Sequence, residues 1–201
     1  MFTGRLDLDQ LKLKAKEIRI DLIKMLFKAG SGHTAGPLAQ GISQAVGFAL
    51  AAKIDKQHHH VFCLMGDGEL DEGQVWEAFM FAAKEKLGNL IAIIDRNHIQ
   101  LDGTTEEIMP LEPLKAKLLS FIWQVLEMDG HNLEEITMTL MQAKVPTDKP
   151  VAVIAHTIPG KGVSFMECKS EWHGKVPNEA ETKQALRELN QLWTLTWLIR
   201  T

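Results

Sequence analysis

Cysteine is almost missing from this chain: Cys63 and Cys168 are the only two in 201 residues. Two are too few for a disulfide framework, which points to a reducing, cytoplasmic setting. Basic blocks are missing as well. Lys and Arg number 22 against 26 Asp and Glu, a formal charge of −4, so no nucleic-acid partner is expected. No window reaches the roughly 18 consecutive apolar residues of a membrane span, so no membrane partner is expected. The opening residues also lack the uninterrupted apolar core of a signal peptide. Repeats, low-complexity tracts and long flexible linkers are not found. What is present is a 45% share of hydrophobic residues at low net charge, enough for one sizeable core and a poor fit to disorder. These figures predict a single domain over residues 1–201.

Periodicity organises the chain. Leu11, Ala15, Ile18, Leu22, Met25 and Leu26 recur at spacings of three and four, which predicts a helix over 7–29. Asp7 or Asp9 would cap its start and Gly30 its end. A glycine-rich turn, Ser31 to Leu38, separates it from a second helix over 40–53. From residue 61 short, fully apolar runs alternate with amphipathic stretches. Strands are expected over 61–65, 90–94, 121–126 and 151–155. Helices are expected over 73–86, stopped by Gly88, and over 133–143. That alternation predicts an α/β fold, a parallel sheet with helices on both faces. Such sheets bind ligands at the carboxyl ends of their strands. The tail over 189–201 is apolar on all sides from Asn190 to Ile199 and too short to cross a bilayer; it packs on a partner or is an accidental terminus.

The strongest chemical signal is Gly66-Asp67-Gly68, at the end of one predicted strand and before a helix. Glycines there let the backbone approach a phosphate, and free N–H groups can donate to it. Asp67 offers a hard oxygen to Mg²⁺ or Ca²⁺. On its own the triplet marks only a turn. Its context is a second apolar strand ending in Asp95-Arg96-Asn97, where Asn97 offers an amide oxygen and the loop a peptide oxygen. Two adjacent strand ends of this kind suit a metal-bound diphosphate. Other polar residues read more plainly. His58-His59-His60 point alternately to opposite faces of an extended chain and fit a solvated loop better than a metal site. Cys63 lies within a strand, buried and inert, and Cys168 lies in a loop with no base beside it. Asp129-Gly130-His131-Asn132 reads as the turn that starts a helix.

The segment GDGELDEGQVWEAFMFAAKEKLGNLIAIIDRNHIQLDG resembles the thiamine-diphosphate motif of transketolases, in the form of their split N-terminal subunits. SGHTAGPL, GPLAQGISQAVGFALAAK, DGHN, HTIPGKGVSFME and EWHGKVPN agree in the same order, so the resemblance runs from about residue 10 to 188. It implies a cofactor, thiamine diphosphate, held with Mg²⁺ or Ca²⁺. Asp67, Asn97 and the backbone carbonyl of Ile99 would bind the metal. Gly66, Asp67, Gly68 and Asn97 would form the diphosphate site, with Gly36 and Leu38 against the cofactor rings and Lys161 as a further contact. The catalytic set it implies is His33, His173, Glu72 and Glu77. The histidines would meet cofactor or sugar, and the two carboxylates would connect cofactor sites near a subunit interface.

The resemblance also implies ketol transfer between a ketose phosphate and an aldose phosphate, as in the pentose phosphate pathway, with sugar phosphates as ligands. A C-terminal transketolase subunit, the pyrimidine-binding half, would be a required partner in a homo- or hetero-oligomer. Two departures stand out. That second half is absent from the 201 residues. Furthermore, SGHTAGPL runs straight into AQGIS, where the family has several tens of residues between two Gly-Pro-Leu copies. Either an internal deletion joins residues 38 and 39, or a segment is omitted there and the Leu38–Ala39 bond is not real. Other readings are a different thiamine-diphosphate enzyme, such as a deoxyxylulose-phosphate synthase or a 2-oxo-acid dehydrogenase component, and a truncated, non-catalytic cofactor-binding module. The GQVWEA and WHGKVPN segments argue against the two other enzymes.

Overall fold

The computed structural model describes residues 7–29 and 39–198. They fall in two compact units, one within Met1–Thr34 and Ile158–Thr201, the other within Ala35–Thr157.

The second unit holds the predicted α/β architecture. Its helices and strands follow in the order α2 (Gln40–Ile54), β1 (Val61–Gly66), α3 (Gly73–Lys84) and β2 (Leu90–Arg96), then a small hairpin of β3 (Ile99–Gln100) and β4 (Gly103–Thr104). Next come α4 (Thr105–Ile108), α5 (Leu114–Ser120), β5 (Gln124–Asp129), α6 (Leu133–Ala143) and β6 (Val151–His156). The four long strands form a parallel sheet in the order β1-β2-β6-β5. Side chains alternate across it. Cys63, Met65, Ala92, Ile94, Ala152 and Ile154 join one core with residues of α2, α3 and α5. Ile91, Val151, Val153 and Ala155 face the other way and pack with Ala143 of α6. Cover on both faces explains why β2 and β6 read as continuous apolar runs, whereas β1 buries one face and exposes Phe62 and Leu64 on the other.

Aromatic packing closes the first face. Phe79 is fully buried, with its ring 4.7 Å from that of Trp123 and 5.7 Å from that of Trp76. The Trp123 indole N–H donates to the Phe79 carbonyl at 3.0 Å. Asn132 caps α6, accepting from the N–H groups of Glu134 and Glu135, so Asp129 to Asn132 is a helix-starting turn as expected.

Several expectations need correction. The third strand starts at Gln124, not at residue 121. Phe121 still donates to the carbonyls of Lys117 and Leu118 at the end of α5, and Ile122 adopts left-handed backbone at φ 67. Helix α3 ends at Lys84, and Lys86 rather than Gly88 takes the left-handed stop at φ 51. Gly88 serves close packing: a Cβ there would lie 1.8 Å from the Thr147 carbonyl oxygen. α4, α5 and the hairpin are additional elements that the apolar periodicity of the sequence does not mark.

The first unit contains α1 (Leu8–Ala29) and α7 (Glu179–Leu198), with a short 3-10 turn at Ser170–Trp172. Asp7 caps α1 by accepting from Asp9 and Gln10; the proposed stop at Gly30 lies outside the described residues. Val163, Met166, Ala185 and Leu189 form a local core joined by Ile20 and Ile23 of α1. Most of the tail that sequence left unassigned is the end of α7, and residues 199–201 lie outside the described set. No described helix is long and apolar enough to cross a membrane.

Replacing Phe79 by Ala removes the centre of the aromatic cluster. Urea denaturation followed by tryptophan fluorescence should show a loss of about 3–5 kcal/mol. A loss below about 1 kcal/mol would mean that this cluster does not carry the core.

Candidate functional site

Strands β1 and β2 end side by side. Their register pairs Gly66 with Asp95, so the turns that follow them start at one level. Beyond Gly66 the chain enters a 3-10 turn, Asp67–Asp71. Glu69 fixes this turn. Its carboxylate accepts from the Gly66 N–H at 2.9 Å and from the Ala39 N–H, just before α2, at 2.8 Å. Gly68 packs against the hairpin: a Cβ there would sit 2.9 Å from the Cβ of Gln100. Any side chain at position 68 would therefore push β3 away.

Asp67 is completely buried. Its Oδ2 accepts from Arg96 Nη1 at 2.8 Å and from the His98 N–H at 2.8 Å. Its Oδ1 is buried with no partner. Burial pushes the Asp67 carboxyl above its usual range, against the bonds from Arg96 and His98 that favour the charged form. An unpaired carboxylate oxygen in the interior is costly, and such an orphan is a place where an ion or a water can bind. Next to it, Asn97 Oδ1 accepts from the Ile99 N–H at 3.0 Å, and Asn97 Nδ2 donates to Asp95 at 3.3 Å. Asp95 also accepts from the Thr157 hydroxyl. An amide oxygen has two lone pairs, so Asn97 retains one.

A carboxylate oxygen, an amide oxygen and a peptide carbonyl are hard donors that suit Mg²⁺ or Ca²⁺ rather than a soft metal. The orphaned Asp67 oxygen and this donor chemistry fit the metal that the sequence implies. Among the described residues no group of three or more His, Cys, Asp and Glu is placed to hold a metal. The predicted set needs none, because two of its three oxygens come from an amide and a peptide.

Sequence reasoning passed over Arg96, which is 1% exposed. Besides Asp67 it donates to Thr105 Oγ1 at 2.7 Å, Glu106 Oε1 at 2.7 Å and Glu112 Oε1 at 2.9 Å. Burial raises the Glu106 carboxyl, but the bonds from Arg96 and from the Leu111 and Glu112 N–H groups outweigh it and hold Glu106 low. The Leu114 N–H, then Arg96, holds Glu112 low as well, against its own partial burial. A signal for Arg96 did exist. Period-two alternation carries Ala92 and Ile94 inward on β2 and puts Arg96 on the same side. A cation there needs a buried carboxylate, and Asp67 is the one at the neighbouring strand end.

The structure therefore brings Gly66, Asp67, Gly68, Asn97 and Ile99 together. Glu72 precedes α3 and Glu77 lies on it, both exposed. His33, Gly36 and Leu38 lie outside the described residues. Lys161 and His173 belong to the other unit. Lys161 is exposed between Gly160 and Gly162, and His173 is half-buried, its N–H donating to the Ser170 carbonyl. His58 and His59 are exposed in a loop. Cys63 is buried, and burial, then Glu69, pushes its thiol up to about 11, which makes it a poor nucleophile.

Comparison with known proteins gives a consistent picture. The family described as "Transketolase, thiamine diphosphate binding domain" matches residues 24–192. An apulose-4-phosphate transketolase subunit of Phocaeicola vulgatus is 46% identical over 156 residues, covering 78% of this chain and 56% of that protein. The 6-deoxy-6-sulfo-D-fructose transketolase subunit SqwG of a Clostridium species is 46% identical over 162 residues, covering 81% of this chain and 59% of that protein. The crystal structure of transketolase from Campylobacter jejuni superposes with a TM-score of 0.72 at 37% identity, covering 78% of this chain and 26% of that one. The chain thus spans just over half the length of the two subunits and about a quarter of the full-length enzyme.

The lowered carboxyls of Glu106 and Glu112 set a pH dependence. Their contribution is full above the ordinary carboxylate range and disappears as pH falls through their lowered values. The doubly substituted Glu106→Gln, Glu112→Gln chain should lose up to about 1 kcal/mol per site at neutral pH, since both side chains are partly solvated, 40% and 55% exposed. Urea midpoints of the two proteins should converge on acidification. A difference that grows as pH falls would contradict the assignment.

Proposed function

The chain belongs to the transketolase family, in its thiamine-diphosphate-binding domain, and from this we propose that it is the N-terminal, diphosphate-binding subunit of a split transketolase. The observation that carries the reading is the buried Asp67 with one oxygen tied and the other orphaned, beside Asn97 at the adjoining strand end. In this reading Asp67, Asn97 and the Ile99 carbonyl hold a divalent metal, Mg²⁺ or Ca²⁺. Gly66 and Gly68 let the backbone come close to the diphosphate. When bound, thiamine diphosphate supplies the carrier for a two-carbon ketol unit. The protein's part is to bind and orient. Glu69 holds the Gly66 turn against the start of α2, and Asp95 holds the Asn97 amide so that its oxygen stays turned towards the Ile99 peptide.

Further roles come from the family resemblance. Gly36 and Leu38 would line the cofactor rings, with Lys161 a further contact. His33 and His173 would meet cofactor or sugar, and Glu72 and Glu77 would join cofactor sites near a subunit interface. A C-terminal subunit would supply the other half of the cofactor site; the names of the two similar proteins as subunits support that. Those two are named for apulose 4-phosphate and 6-deoxy-6-sulfo-D-fructose. For this chain we assign the substrate class as a ketose phosphate donating to an aldose phosphate. Two free cysteines agree with a reducing, cytoplasmic compartment.

Calorimetric titration with thiamine diphosphate and Mg²⁺ should give binding by the wild-type chain and, for Asp67→Ala, a loss of at least about tenfold. Equal heats for the two proteins would remove the metal assignment. If a further segment stands between Leu38 and Ala39, the protein together with the C-terminal subunit should turn over xylulose 5-phosphate plus ribose 5-phosphate and leave pyruvate untouched. If the Leu38–Ala39 bond is real, as intact mass across residues 38–39 decides, cofactor binding should be weak and ketol transfer absent. Ketol transfer by the purified 201-residue chain with that subunit would overturn this expectation.

A further inference from the structure

Arg96 has no role in the metal site as read from sequence, yet it is the most heavily bonded side chain beside it. Its Nη1 binds Asp67 Oδ2 and Thr105 Oγ1, and its Nη2 binds Glu106 and Glu112. The guanidinium is planar and carries its donors in a rigid fork, so four partners at once fix its position. The fork, together with the His98 N–H, takes up Asp67 Oδ2 and leaves Oδ1 unpaired. Charge is divided in the same way. An Arg96 facing Asp67 alone would neutralise it and repel a cation. Here the single positive charge faces three carboxylates, and two of them, Glu106 and Glu112, bind the other nitrogen, Nη2, and lie partly in solvent.

We propose that Arg96 is a positioning residue for the divalent metal: held by Thr105, Glu106 and Glu112, it engages one oxygen of Asp67 so that only the other is presented to the ion. This inference rests on the metal-diphosphate reading above and deepens it. Its consequence is a preference among ions. Mg²⁺ requires near-ideal octahedral geometry and accepts a carboxylate through one oxygen, whereas Ca²⁺ also accepts a carboxylate through both. An Asp67 with Oδ2 occupied is therefore shaped for the smaller ion.

The test is calorimetric titration of the full chain with Mg²⁺ and, separately, Ca²⁺, with thiamine diphosphate present, for wild type, Arg96→Met and Glu112→Gln. Circular dichroism on the same samples checks the fold. Arg96→Met should weaken Mg²⁺ by about ten- to hundredfold, the usual range for groups that orient a metal ligand. Ca²⁺ should weaken less, because Oδ2, left with the His98 N–H alone, keeps a lone pair for it. Glu112→Gln leaves more of the Arg96 charge on Asp67 and should weaken Mg²⁺ in the same direction by a smaller factor. A merely structural role for Arg96 would weaken both ions equally, and that result overturns the proposal, as does unchanged or tighter Mg²⁺ binding. Should Arg96→Met fail to fold, Glu112→Gln decides: unchanged Mg²⁺ affinity in that variant overturns it. Wild-type chain that binds neither ion would instead sink the metal-diphosphate reading itself. A wild type that binds, with unshifted variants, removes only the role of Arg96.

Discussion

One buried charge pair governs the functional end of this molecule: the Arg96 guanidinium against the Asp67 carboxylate, both 1% exposed at their side chains. Bringing two charges out of water is expensive, and their attraction offsets the cost only when further hydrogen bonds complete the geometry. Here those bonds come from Thr105, Glu106 and Glu112 on one side and the His98 N–H on the other. Removing one partner of such a pair strands the other and typically costs about 3–5 kcal/mol. The pair thus ties the end of β2 to the turn after β1 and to α4 and the turn that precedes α5. What it leaves over, one bare Asp67 oxygen, is the feature from which the functional reading grows.

The sheet makes this possible. Parallel strands β1 and β2 end level, so residues distant in sequence emerge at a common edge, and ligand sites on open parallel sheets collect there. Tight packing then holds the two turns. Gly68 admits no side chain without moving Gln100, and Gly130 similarly lies where a Cβ would come within 2.5 Å of Thr157 Cγ2. Thr157 in turn donates to Asp95, which steadies the Asn97 amide. Each close approach therefore acts on the orientation of an oxygen donor as well as on stability.

Much of this was legible in sequence because the signals are local. Apolar runs at 90–94 and 151–155 are strands buried on both faces, whereas the run at 61–65 is buried on one face and leaves Phe62 and Leu64 exposed on the other. Gly66-Asp67-Gly68 and Asn97 drew attention because strand ends carry ligands in this fold class. The network around Arg96 was not legible in the same way. Its partners at positions 67, 105, 106 and 112 lie on separate short segments without periodicity, and α4 and α5 are too brief to show an amphipathic pattern. β5 starts later than the apolar run at 121–126 because Phe121 and Ile122, as apolar as a strand, close a helix instead. The apolar-rich tail carries no helical period of its own, while the first half of α7 carries the charge pattern of a solvated helix.

The central claim is that Asp67 meets a divalent ion through Oδ1 while Arg96 retains Oδ2. Crystals of the chain grown with thiamine diphosphate and Mn²⁺ test it most directly, because the anomalous signal of manganese locates the ion independently of any refined geometry. The account predicts a peak bonded to Asp67 Oδ1 and the Asn97 amide oxygen, with Arg96 still on Oδ2. Manganese bonded through Oδ2 with Arg96 displaced, or bound elsewhere with Asp67 bare, would contradict it.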